Sequence, residues 1–401
     1  MQNTPKKTLT RTLFALTLMI ASLAQITADM YVPSLPYMAK TLNVSNHAIQ
    51  LTVAIYLLGF SFSNLYYGPL SDRIGRRKPL LIGIGLTALG GLICMLAQSA
   101  AFIMLGRLVQ GLGVGSCNSV GRSFMRDLFS GSHLAKLGSH IGMVSVFVVA
   151  AAPTVGGYIQ HYFGWRSVFL ILFSYSCLVW ILLWQAFPET NLDLNPHATR
   201  VRTILKNFYI LLRSKTFLGY ALCSSFAYAG LLSYMTVAPF ILQDVIGLTA
   251  VQFGWLSFLI ACSLFISTFL NSRYVIIKGI PFMVSIGTCL MFSGSTIMLI
   301  FGLLNYLNLW VIMLPMTLFS MGVGFTFSNA FAGAFHPFPR MAGAVGALYG
   351  CLQIVGAAAA SALIAGLPDT TQMPLAGFLV TLSLLAITAL NLLVKRDTET
   401  A

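Results

Sequence analysis

Charge is what this chain has least of. Only 8% of its 401 residues are Asp, Glu, Lys or Arg, where a soluble domain carries about 25%. Acid is scarcest, with nine Asp and Glu in all. A soluble globule of this length needs a polar skin, and a chain that is 57% hydrophobic has too few residues to make one. Lipid is therefore the expected solvent for most of its surface. Paired cysteines are lacking too. All seven fall inside apolar runs and none forms a C-x-x-C, so they read as small buried thiols, not as bridges or metal ligands. His133 and His140 flank one turn without partner ligands at matching spacing, and no metal is expected. There is no phosphate-binding loop and no serine–histidine–acid constellation. An enzyme, or a pump driven by ATP through this chain alone, is excluded, and no cofactor is expected. The first apolar run is too long for the core of a cleavable leader.

What is present is a series of apolar runs. A spanning helix takes about 20 mostly apolar residues. Twelve stretches qualify: 11–33, 48–68, 79–97, 101–122, 137–160, 165–187, 216–242, 251–272, 279–303, 306–332, 341–366 and 373–394. They are too long and too uniformly apolar for barrel strands, which alternate over about ten residues. The fold class expected is an all-α membrane protein of two six-helix bundles, residues 1–190 and 216–401. Between them, 191–215 is a linker. It carries Val201, Ile204, Leu205, Phe208, Leu211 and Leu212 at helical spacing with Arg200, Arg202, Lys206 and Arg213 between. That pattern predicts an amphipathic helix at the membrane interface.

The net charge is +14. In a soluble protein this would suggest nucleic acid, but here the cations sit in short loops, and the membrane surface explains them. With the N-terminus inside, 20 of the 23 Lys and Arg face the cytoplasm. Lys40 and Arg166 face outward and Arg107 is inside a span. This asymmetry predicts cytoplasmic N- and C-termini.

Two ionisable groups stand where lipid should forbid them. Asp29 is the one acid plainly within a span and Arg107 the one base. An intramembrane charge costs at least about 2.5–3.5 kcal/mol on insertion scales, so its default reading is functional. By residue count both sit roughly 6–9 Å in from the outer surface. Desolvation and a nearby guanidinium pull a carboxylate's proton affinity in opposite directions. Opening a cavity to one side or the other would shift that balance and make Asp29 a proton switch. The plainer alternative is a fixed ion pair that positions helices.

Other features have packing readings. Gly111 and Gly115 form a G-x-x-x-G for close helix approach. Pro153, Gly156 and Gly157 are expected to interrupt the fifth span as a hinge or seal. Tyr56, Phe60, Tyr228, Tyr234, Phe325, Phe327 and Tyr349 could line an apolar pocket. The halves look like diverged repeats, with the basic turn after the second span echoed weakly by Asn271–Gly279.

The turn Gly68-Pro69-Leu70-Ser71-Asp72-Arg73-Ile74-Gly75-Arg76-Arg77-Lys78 is similar to the signature of the major facilitator superfamily, and the chain resembles its twelve-span drug:proton antiporters of the Bcr/CflA type. Gly68, Asp72, Arg73, Gly75, Arg76 and Arg77 carry the match. The resemblance implies that Asp72 meets the start of span eleven and that Arg76 meets Asp127, latching the inner face. Arg107-Leu-Val-Gln110-Gly111 looks like the span-four motif. Ala152-Pro153-Thr-Val-Gly156-Gly157 looks like the antiporter motif of span five, with alanine for its first glycine. Ala28-Asp29-Met30-Tyr31-Val32-Pro33 resembles the span-one signature, and Gly164-Trp165-Arg166 and Pro188-Glu189-Thr190 fit the same group. The expectation is a monomeric bacterial inner-membrane pump that exchanges an outside proton for an amphipathic drug such as chloramphenicol or bicyclomycin. An importer or exporter of a small metabolite, or a non-transporting receptor, are the alternatives.

Overall fold

The computed structural model describes residues 4–128, 131–191, 194, 201–338 and 341–395. Side chains before Thr12, at 122, 125–126, 128–146, 201–203 and 342, and at 395 lie outside that description. With them go His133, His140 and many of the basic residues that orient the chain. Every regular element described is helical. Helix α1 runs Thr4–Asp29, followed by a 3-10 turn at Val32–Ser34 and a short α2, Leu35–Leu42. Then come α3 (Asn46–Ile74), α4 (Arg77–Leu96), α5 (Ala100–Leu128), α6 (Gly131–Phe163) and α7 (Trp165–Ala186). A separate helix α8, Val201–Arg213, leads to α9 (Lys215–Phe240), α10 (Ala250–Lys278), α11 (Ile280–Leu303), α12 (Leu309–Phe335), α13 (Ala342–Ala365) and α14 (Met373–Ala389). Eleven segments among the described residues are long and apolar enough to cross a membrane, and α6 is the twelfth long helix. The linker pattern does form a helix. Phe208 and Leu211 of α8 pack into the second half, while Leu205, Tyr209 and Leu212 stay exposed.

Three local expectations are corrected. The basic turn is shorter than the sequence suggests, because α3 runs helically through Gly68, Pro69, Asp72 and Arg73 to Ile74. A proline costs one backbone hydrogen bond but does not end a helix that packing supports. Only Gly75 and Arg76 remain outside helix, Gly75 with φ 91°. Span five is not interrupted, since α6 passes through Pro153 and Gly157 as one helix. Span one, expected unbroken to residue 33, does break. Pro33 has no N–H, and its ring crowds the carbonyl four residues back, that of Asp29. The span resumes as α2, with Pro36 in its first turn, and extends from Thr12 to Leu42. Asp29 therefore lies deeper than counting back from residue 33 implies.

The repeat is visible in the packing. Gly83 of α4 lies on Gly113 of α5, and Gly287 of α11 lies on Gly322 of α12. Gly115 fits against Ser63 of α3 as Gly324 fits against Ser267 of α10. The shift is 204 residues in one helix of each pair and 209 in the other. Gly75 and Gly279 are also 204 apart and both take positive φ, 91° and 81°. The two halves meet along α3 with α13 and along α6 with α10.

Candidate functional site

The site grows from the break in α1. Asp29 is its last helical residue, and the polar backbone released by Pro33 lies beside it. Arg107, in α5, is 0% exposed. Its Nη1 donates to the carbonyl of Thr27 at 2.9 Å and to Oε1 of Gln110 at 2.9 Å. The guanidinium lies over the ring of Tyr31 and over the ring of Tyr56, each centroid 3.9 Å away. Its Nε and Nη2, the Gln110 Nε2 and the Tyr31 hydroxyl have no hydrogen-bond partner. Tyr56 is tied to α1 through its hydroxyl, 3.1 Å from Thr27 Oγ1, and donates to the Ala24 carbonyl at 3.4 Å. The glycines of α5 make this possible. A Cβ at Gly111 would run into the Tyr56 carbonyl, so α5 and α3 touch backbone to backbone at this level.

Asp29 and Arg107 do not form an ion pair. Among the described residues no basic nitrogen lies within 4.0 Å of the Asp29 carboxylate, and it makes no hydrogen bond. It is partly exposed, while the arginine is sealed. Arg107 and Tyr56 of the first half and Tyr228 of the second lie within electrostatic reach of it. Asp29 is therefore within electrostatic reach of groups from both halves and has no fixed partner among the described residues.

The aromatic candidates divide. Tyr56 stacks toward Phe60 at 6.2 Å, and Tyr228 toward Phe327 at 5.7 Å. Tyr234 is 1% exposed, its hydroxyl on the Met313 sulfur at 3.3 Å inside the second half. Tyr349 packs edge-on to Phe331 in a separate cluster with Phe217 and Tyr220. Phe325 is buried in α12, and its carbonyl accepts from Asn329. Tyr56 and Tyr228 are thus within electrostatic reach of Asp29, while Tyr234 and Tyr349 pack inside the second half.

At one end of the bundle the halves are fastened together. Lys40 Nζ is 2.6 Å from Asp244 Oδ1. Gln243 Nε2 donates to the Pro33 carbonyl at 3.0 Å. Asn46 Nδ2 and Gln50 Nε2 both donate to Asp369 Oδ2, at 2.9 and 3.0 Å. Thr154 donates to the Gly254 carbonyl at 2.9 Å. Gly157 lies on the Ala250 backbone of the second half, and its neighbour Gly156 lies on the Met30 backbone within the first, with no room for a Cβ at either. The Pro153–Gly157 stretch is thus a contact surface between halves. Sequence reasoning missed Asp244, Asp369 and Gln243. The scarcity of acid was the available signal, since two of nine acids, Asp244 in the helical turn that ends the α9 span and Asp369 in a loop, stand at this end.

At the opposite end, Arg76 is buried and pairs through Nε with Asp127 Oδ2 at 2.9 Å and through Nη1 with Asp72. Ser71 Oγ accepts from the same Nη1 at 2.7 Å. Burial alone would lower the proton affinity of the guanidinium, but Asp127 and Asp72 more than offset it and raise its pKa. Asp72 is half exposed. Among the described residues Asp72 makes no hydrogen bond or ion pair with the start of span eleven and pairs with Arg76 instead. Glu189 reaches back to cap α4, accepting from the Arg76 amide at 2.7 Å and the Arg77 amide at 3.1 Å. Gly68 faces Ser119 across α5.

A family model described as Major Facilitator Superfamily matches residues 17–361. The chain is 31% identical over 378 residues to the "Bicyclomycin resistance protein homolog" of Haemophilus influenzae, covering 93% of this chain and 95% of that protein. It is 30% identical over 370 residues to "Multidrug resistance protein D" of Escherichia coli, covering 92% of each. Among solved structures it superposes on a D-xylose–proton symporter with TM-score 0.74 at 16% identity, covering 96% of this chain and 97% of that one. That likeness concerns the fold alone.

Proposed function

The chain belongs to the Major Facilitator Superfamily, and from that premise we propose that it exports small amphipathic drugs from a bacterial cytoplasm in exchange for protons. The observation that carries the reading is the Asp29 site. Among the described spans it is the one acid far from a span end, since Asp72 and Asp244 stand within two residues of theirs. It stands at a helix break between the halves, near a sealed cation but unpaired with it, and open enough to exchange a proton. The names of the relatives, bicyclomycin resistance and multidrug resistance, support a drug as cargo, and bicyclomycin and chloramphenicol are the first to test.

The Lys and Arg distribution puts the Lys40 end outside and the Arg76 end in the cytoplasm. The fastened Lys40 end then makes this conformation the one closed to the outside. In the cycle, drug enters from the cytoplasm, the halves 1–190 and 216–401 rock about the central path, and the linker 191–215 spans them. An outside proton taken by Asp29 returns the protein to this state. On opening outward, Asp72 meets the start of α13 and the Arg76 cluster closes the inner face. Moving one charge across the membrane supplies about 2.3 kcal/mol per 100 mV. The protein acts as a monomer with lipid around it.

The test is drug transport in inverted vesicles with an imposed pH gradient. Asp29→Asn abolishes the response to the gradient while leaving drug exchange down a concentration gradient. Full coupling in that variant removes the proposal.

A further inference from the structure

Arg107 raises a problem that Asp29 does not solve. A fully buried cation normally needs an anion, and none lies within pairing distance among the described residues. What does surround it is explicit. Tyr31 covers one side of the guanidinium and Tyr56 another, both at 3.9 Å. The Thr27 carbonyl and Gln110 Oε1 take one nitrogen. Cys94 of α4 is within electrostatic reach. No other acid is available to it. Asp29 is the only Asp or Glu in α1, α6, α7, α9 and α10 have none, and those of α3 and α5 are Asp72 and Asp127, at the Arg76 end. Ring faces attract a cation by their quadrupole, and more strongly once both are dry. The two rings thus hold the charge where a carboxylate otherwise would.

We propose that Tyr31 and Tyr56 are positioning residues: they clamp Arg107 by its faces and keep it off Asp29, and this gap leaves the carboxyl free to trade its proton. The proposal rests on the proton-exchange reading above. The two rings differ in a way that makes it testable. The Tyr56 hydroxyl bonds to Thr27 and Ala24 of α1, so its loss would disturb more than the clamp. The Tyr31 hydroxyl makes no hydrogen bond of ordinary geometry, though it lies near Thr52 and the Arg107 guanidinium, so Tyr31→Phe separates what the ring does from what the hydroxyl does. Replacing Tyr31 by Phe keeps the clamp, and replacing it by Leu opens one side. The guanidinium, with Nε and Nη2 unsatisfied, then turns toward the only anion in range and pairs with it.

Two readouts are needed, one of them independent of transport. In the first, infrared difference spectra of purified protein read the protonated carboxyl band of Asp29, with Asp29→Asn as the blank. At a pH where the wild-type band is half-maximal, Tyr31→Leu lowers it about fivefold or more, since the smaller end of what a new opposite charge does to a carboxylate is about one pKa unit. Tyr31→Phe leaves it unchanged. In the second, uphill drug transport by Tyr31→Leu is shifted toward acid pH, while drug counterflow, which needs no proton, stays at the wild-type rate. An unchanged band in Tyr31→Leu, or an equal loss in Tyr31→Phe, overturns the proposal. Counterflow also reports folding. If Tyr31→Leu lacks it, Tyr31→Met, unbranched and still without a ring face, takes its place. Wild-type vesicles that show no proton coupling, with the band shift still present, would defeat the transport reading and leave the clamp standing.

Discussion

The carbonyl of Met30 occupies the place where a side chain at position 156 would begin. A Cβ on Gly156 would overlap it deeply, and one on Gly157 would strike the Ala250 carbonyl. Backbone cannot retreat as a flexible side chain can. The Asp29 break and the inter-half seal are thus built against each other.

Gly156→Ala is therefore expected to cost about 1–3 kcal/mol, as overpacking does, and to abolish transport. Gly377→Ala is the control, because nothing lies within 4 Å of a Cβ there. Thermal unfolding of purified protein and drug efflux measure the two. Equal behaviour of the two variants would refute the close fit of α6 on the backbone of the Asp29 break.

Lys40 and Asp244 join the halves at an exposed position. The lysine side chain is 68% exposed, so Lys40→Ala alone should cost no more than about 0–1 kcal/mol. A covalent tie is a different matter. Lys40→Cys with Asp244→Cys, in a background without the native cysteines, should stop transport on oxidation and regain it with reductant. Continued transport in the oxidised form would show that these residues need not separate.

Glu189 caps α4 from the far end of α7, accepting the Arg76 and Arg77 amides. A carboxylate at a helix N-terminus satisfies orphan donors and meets the positive end of the helix dipole. Glu189→Ala should cost about 1–2 kcal/mol, and Glu189→Gln less, since its amide oxygen still accepts. A denaturation series on the three proteins tests the order.

Arg107→Lys keeps the charge but loses the planar group between the rings. Its ammonium is free to move to Asp29. Uphill transport should fall more than about tenfold, with counterflow retained. Wild-type coupling in this variant would mean that a positive charge anywhere near the site is enough.

Much of this was legible beforehand. Helix count, the linker helix and the Arg76–Asp127 pair follow from run length, periodicity and motif. The fate of the helix at Pro33, Pro69 and Pro153 was not legible, for one reason. A proline removes a single hydrogen bond, and neighbouring helices decide whether the helix survives. At Pro69 and Pro153 it survives; at Pro33 it does not. Tyr234 and Tyr349 were indistinguishable in sequence from Tyr56 and Tyr228, because an aromatic in a spanning helix gives no sign of which face it is on.

The sequence by itself determined that the chain lives in lipid, that its fold is helical, and that one acid and one base are stranded in the spans. Composition and run length suffice for that, since transferring charge or bare backbone into hydrocarbon costs the same in any fold. Only the tertiary structure decided that Asp29 and Arg107 stand close without pairing, with two tyrosine rings on the cation. Such a gap depends on how closely α1, α3 and α5 approach, which the glycines of α3 and α5 permit and only packing sets.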